Sequence, residues 1–168
     1  MAVREIVTYP HEVLRSQARK VERVDEAVQA LVRDMAETMY AAPGIGLAAP
    51  QVGEALQVAV LDITPQEEPQ KNLIALVNPE IIEASGEVES KEGCLSVPEL
   101  TCEIKRFAKV RVRGLNLEGQ PVEMDAEGLL AVVIQHELDH LKGMLIFDHL
   151  SSLKRDLVKR KLRKRAES

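Results

Sequence analysis

Residues 129–141, LLAVVIQHELDHL, constrain this chain more than any other stretch. Leu129, Leu130, Val132, Val133, Ile134, Leu138 and Leu141 cover most of the circumference that a helix would present. A helix apolar nearly all round is a buried one. The pattern predicts a central helix that starts after Asp125, a fitting N-cap, and ends at Gly143, a fitting C′ residue. The same run nevertheless carries His136, Glu137 and His140. Burying such groups without partners costs roughly 2–7 kcal/mol each, so the helix must supply them with something to bind.

On a helix, His136 and His140 project from one face a turn apart. Two imidazoles so placed can bind a single metal ion, with Glu137 alongside to handle protons. The plainer reading is two histidines satisfied by hydrogen bonds, and burial favours the metal. Catalytic zinc-like sites commonly take three protein ligands plus a water. Downstream, Asp148 and His149 follow Gly143 too closely to fold back easily, and Asp156 and Glu167 lie in a basic helix. Upstream, EGCLSVPEL offers Cys94, whose thiolate suits borderline-soft divalent metals. A single cysteine equally serves as a small buried hydrophobe, the reading that Cys102 receives.

The rest of the chain predicts a helix from an Asp25 N-cap to about Ala41, with Val28, Leu31, Val32, Met35 and Met39 at helical spacing. PGIGLAAPQVG is too rich in Gly and Pro for a regular element. ALQVAVLDI reads as a strand, then TPQEEPQKN as a polar loop. LIALVNPEIIEAS reads as two strand segments broken near Asn78-Pro79. AKVRVRGLNLEGQPVEMDA alternates with period two around a turn at Glu118-Gly119. A last helix starts at Ser151 or Ser152 and carries a thin stripe of Leu153, Leu157 and Leu162. The fold class is α+β: mixed, mainly antiparallel sheets packed around a central buried helix, with a C-terminal basic helix. One domain over residues 1–168 is expected, with 150–168 as that helix.

With no Trp, two Tyr and two Phe, the core must be aliphatic. No apolar run approaches bilayer length, which argues against a membrane protein. The first residues lack a secretory or transit composition, and two cysteines make no disulfide framework, so a reducing cytoplasm fits. The net charge of −5 hides an uneven distribution. Residues 154–168 hold eight basic and two acidic side chains, while the remainder is strongly acidic.

Three segments, GIGLAAPQ (44–51), EGCLS (92–96) and HELDH (136–140), together resemble the signature motifs of the peptide deformylase family, in order and at familiar separations. The resemblance covers essentially the whole chain, a short N-terminal strand and the terminal helix included. It implies that Cys94, His136 and His140 hold one divalent metal, Fe²⁺ natively with Zn²⁺, Ni²⁺ or Co²⁺ possible, and water as fourth ligand. It implies that Glu137 is the general base and then acid, with Gln51 through its amide and Leu95 through its backbone N–H stabilising the oxyanion. Gly44, Ile45, Glu92, Leu129, Val132 and Val133 would surround a methionine side chain, and an extended peptide would bond to the backbone near Ile45 and Gly46. The implied reaction is hydrolysis of the formyl group from N-formylmethionyl nascent peptides. The basic helix is either a solvated end or a contact with ribosomal RNA.

Two other readings use the same residues. A metallopeptidase would share the helix motif and would cleave unformylated peptides. A non-catalytic ribosome-associated module would not need Glu137.

Overall fold

The computed structural model describes residues 2–65 and 72–167. Its strands are β1 (Gly46–Ala48), β2 (Val58–Leu61), β3 (Ile74–Ser85), β4 (Val88–Cys94), β5 (Val97–Arg106), β6 (Lys109–Leu115) and β7 (Pro121–Glu127). Its helices are α1 (Glu26–Ala41), α2 (Gly128–Leu141) and α3 (Ser152–Glu167). One antiparallel sheet runs in the order β1-β2-β3-β6-β7, and β4 pairs with β5 in a separate hairpin. The fold is α+β, as the patterning implies, with α2 at its centre.

The two long apolar helices seat on the larger sheet. From α1, Leu31, Val32, Met35 and Met39 pack on Leu47, Val58 and Val60. From α2, Ala131, Ile134 and Leu138 pack on Leu61, Leu76, Val110 and Val112. Each fully buried aliphatic side chain contributes roughly 1.5–3 kcal/mol, so the aliphatic content suffices for a core with almost no aromatics. Asp25 caps α1 as expected, accepting from the Val28 N–H at 3.1 Å.

Several local expectations need correction. GIGLAAPQ is not irregular: β1 pairs with β2, Gly46 opposite Leu61 and Ala48 opposite Ala59, and a 3₁₀ turn follows over Ala49–Val52. That strand exists only because a distant strand pairs with it, which local Gly and Pro content cannot reveal. LIALVNPEIIEAS forms one strand, and the expected break is a bulge between Val77 and Glu80. There Asn78 takes φ +52°, and its amide bonds both the N–H and the carbonyl of Val21.

Asp125 does not cap α2. The β6–β7 ladder continues to Lys109 opposite Glu127 and keeps Asp125 in the strand opposite Arg111. Glu127 is the N-cap, and Gly128 at φ +62° makes the turn into the helix. The N-terminal segment contains a 3₁₀ turn, Glu12–Arg15, and an isolated bridge from Arg19 to Leu56 in place of a named strand. On α3, Leu153 and Leu157 point to solvent, while Val158 and Leu162 pack on the cluster containing Leu14 and Phe147. The polar loop expected over 64–72 lies mostly outside the described residues.

The five-stranded sheet has two edges. β7 at one end carries Pro121 and three acids, Glu123, Asp125 and Glu127, and β1 at the other is only three residues long. Among the described residues no helix is long and apolar enough to cross a membrane.

Candidate active site

α2 brings two donors and a carboxylate to one point. The His136 and His140 rings lie one turn apart with centroids 5.0 Å apart, and their Nε2 atoms are separated by 3.3 Å. The third donor arrives from the hairpin. The β4–β5 register slips between Gly93 and Cys94, which turns Cys94 toward α2. Its Sγ stands 3.3 Å from His140 Nε2, and all three donor atoms lie within 4.8 Å of one another. Bonds of about 2.0–2.1 Å to nitrogen and 2.3 Å to sulfur, arranged tetrahedrally, place donors roughly 3.3–3.6 Å apart. The 3.3 Å spacings fit that requirement, and the thiol–imidazole set suits Fe²⁺, Zn²⁺, Co²⁺ or Ni²⁺.

The surroundings fix which ring nitrogen is available. His136 Nδ1 lies 2.9 Å from Glu92 Oε1, a bond that only Nδ1–H can donate to a carboxylate, so Nε2 keeps its lone pair. Burial alone would raise Glu92, but hydrogen bonds from Arg106 and His136 take it down to about 2, and it is ionised. Burial lowers His140 to about 3, keeping its imidazole neutral as a metal ligand must be. Burial also disfavours a charged His136, yet the surrounding negative groups, Glu137 foremost, outweigh it and raise its pKa well above the usual value.

Glu137 is buried, and burial pushes its carboxyl up to about 7. Its Oε1 has no hydrogen-bond partner, so a buried carboxylate oxygen is left for a ligand to meet. Such a group can hold or surrender a proton near neutrality, which suits it to general acid–base work. β1 runs close beside it: a Cβ at Gly46 would collide with the Glu137 carboxylate and sit 3.1 Å from Val133 Cγ1. Only glycine lets that strand approach so closely.

These groups lie in a cleft of about 650 Å³. Cys94, His136 and Glu137 face into it, and His140 lies behind them, 2% exposed. One wall is Gly44, Ile45 and Gly46; the opposite side is Glu92 and Leu95 from the hairpin; Leu129, Val132 and Val133 close it from α2. Gln51 reaches the same space from the 3₁₀ turn. Its Oε1 accepts from the Ala48 N–H at 3.0 Å, which turns Nε2 toward Ser96 Oγ at 3.2 Å and Cys94 Sγ at 3.8 Å. Every candidate residue from the sequence therefore lines the cleft or, as His140 does, lies against its floor.

Asp148 and His149 are engaged elsewhere, with Arg15 and Asp139 respectively. Cys102 is buried opposite Glu92, and burial raises its thiol pKa. Sequence reasoning missed Arg106, Asp139, Gln135 and Ser96. Arg106 left a signal: strand alternation puts Cys102, Ile104 and Arg106 in one phase, and all three are buried. An arginine in the apolar phase of a strand needs an acid to meet it.

Comparison with known proteins shows the family of the chain as a whole. A family model described as polypeptide deformylase matches residues 3–156. A peptide deformylase of Syntrophobacter fumaroxidans is 51% identical over 98% of this chain and 96% of its own. One from Aquifex aeolicus is 48% identical over 99% and 98%. A crystal structure of a peptide deformylase from Legionella pneumophila superposes with TM-score 0.90 at 48% identity, covering 99% of this chain and 96% of that one. One from Ehrlichia chaffeensis, in complex with actinonin, gives TM-score 0.90 at 38% identity over the whole of both chains. Matches of this extent place the chain in the peptide deformylase family, the metal-dependent hydrolases that remove the formyl group from the N-terminal N-formylmethionine of newly synthesised polypeptides and release formate.

Proposed function

We propose that Cys94, His136 and His140 hold one divalent ion, Fe²⁺ in the cell, and that Glu137 moves the protons of the deformylation that this family carries out. The observation that carries this reading is the convergence of one sulfur and two imidazole nitrogens beside a buried, unpartnered carboxylate. A bound divalent ion supplies Lewis acidity, polarising a carbonyl and acidifying water at neutral pH.

The chain's own groups do the rest. Glu137 takes the proton from the attacking water and returns it to the departing amine, a contribution of roughly 10²–10⁴-fold for such groups. Attack places negative charge on the formyl oxygen. The Gln51 amide and the Leu95 backbone N–H donate to that oxygen, and one such donor elsewhere is worth about 3–4 kcal/mol. Glu92 keeps the His136 ring oriented. Gly44, Ile45, Leu129, Val132 and Val133 enclose the methionine side chain, with Glu92 at their edge, and the peptide backbone adds as a strand beside Ile45 and Gly46. Residues 1–168 act as one catalytic domain.

The basic α3 carries no buried residue and gives weak, salt-dependent contact with ribosomal RNA. The site of action is the cytoplasm, where formylated chains emerge. Removing the chain from Leu153 onward without changing ribosome binding would eliminate that contact.

The deciding experiment is anaerobic purification, metal analysis and a formate-release assay on formyl-Met peptides. One metal per chain, mainly iron, with activity that fades in air, is the expected result. Full activity in an iron-free preparation would reject the iron assignment. Cleavage of unformylated peptides would point to a peptidase instead.

A further inference from the structure

Behind the donor triangle, a run of charged groups continues past Glu92 to residues that the reaction itself does not use. His136 Nδ1 donates to Glu92 Oε1 at 2.9 Å. Glu92 accepts from Arg106 through both oxygens, Nη2 at 2.6 Å and Nε at 2.8 Å. The third corner of the same guanidinium, Nη1, donates to Asp139 Oδ2 at 2.6 Å. That oxygen also takes a bond from His149 Nε2 at 2.8 Å. Asp139 is the neighbour of His140, so Arg106 ties together acids that stand beside both imidazoles. Its side chain is 4% exposed, and a planar fork with both edges occupied cannot rotate. Gln135, next to His136, grips the N–H and the carbonyl of Phe107, both at 2.9 Å, and fixes the backbone that carries Arg106 against α2.

We propose that His149, acting through Asp139 and Arg106, is a positioning residue for the metal centre, the outer end of a chain His149–Asp139–Arg106–Glu92–His136 that holds the His136 ring with Nε2 toward Cys94 and His140. This deepens the ligand assignment above and rests on it. The bonds cross three parts of the fold: the β4–β5 hairpin, α2 and the 3₁₀ turn Ile146–His149 that leads into α3. A shift of that turn would reach the ring through rigid, charge-assisted bonds. Each carboxylate in the chain faces an N–H donor on both sides, so the direction of every bond is set.

The test is retention of Co²⁺ by the full chain. The cobalt-loaded protein should show a thiolate-to-cobalt charge-transfer band that Cys94→Ala removes. Cobalt loss to excess EDTA is then timed. Arg106→Lys should release it about 10–100-fold faster, the usual effect of losing a ligand's outer partner. His149→Ala, one link further out, should release it about 3–10-fold faster, with Tm within about 2 °C of the parent. His149→Gln, which keeps an N–H donor for Asp139, should recover most of the difference. The double variant Arg106→Lys/His149→Ala should release cobalt little faster than Arg106→Lys alone, because the chain is already broken. Parental release by His149→Ala, or effects that simply multiply in the double variant, would overturn the inference. If Arg106→Lys does not fold, His149→Ala and His149→Gln decide it alone. Absence of the charge-transfer band in the parent would instead reject the ligand assignment.

Discussion

α2 and α3 are nearly equal in length, 14 and 16 residues, and opposite in character. α2 buries nine residues, among them Gln135, Glu137 and His140; α3 buries none. In α2 the polar groups sit on the element that also holds the core, so their geometry is set by packing. α3 is anchored by Val158 and Leu162, by Lys159 over the Phe147 ring and by Arg165 on Glu99, and most of its charge faces outward. The difference teaches that precision is built where movement is most costly, and adaptable charge where it is cheap.

Changes in α2 and its cleft should be far more damaging than changes in α3. The sharpest break is Cys94→Ala or His136→Ala: bound metal should fall to near zero by elemental analysis, with formate release lost. Retained metal in both would undo the contrast at its root. Next, Glu137→Gln should cut kcat by about 10²–10⁴-fold while metal content and Tm stay close to parental. Gly46→Ala should cost on the order of 10²-fold in kcat, because the new methyl displaces either β1 or the Glu137 carboxylate.

Stability should divide the same way. Ile134→Ala should lose about 2–5 kcal/mol by urea unfolding, and Leu157→Ala less than about 0.5 kcal/mol. Equal losses would mean that α3 is structural after all. The smallest effect is at the turn that joins the two helices. Burial opposes ionisation of Asp148, but the Arg15 hydrogen bond and the Leu145 N–H outweigh it and hold its pKa below the ordinary 3.8. A lowered carboxyl pKa stabilises the fold above about pH 4, and the gain fades as pH falls through the folded value. The urea midpoint of Asp148→Asn should therefore trail the parent at pH 6 and converge with it below pH 4. A constant gap would assign the loss to shape rather than charge.

These elements differ in how far the sequence discloses them. α1 and α2 are legible because their apolar spacing and the Asp25 cap are local. Cys94 is another matter. It lies 46 residues from His140, and only a register slip in a hairpin brings them together, so spacing alone leaves it one candidate among several. The three motifs read jointly single it out. β1 is hidden because its partner is β2, and Asp125 misleads because a strand ladder outcompetes a local cap. Arg106 was half visible: its phase in β5 marks it as buried, but the two acids that receive it come from other elements. His149 carries no local sign of its role.

The short edge strand β1 sets a limit of its own. A backbone laid alongside Gly46–Ala48 runs out of partners where the chain turns into the 3₁₀ segment. A tripeptide and a polypeptide of hundreds of residues would thus be gripped by the same few atoms. Grip would not grow with cargo size, and a trimmed product, however long, would leave as readily as a short one.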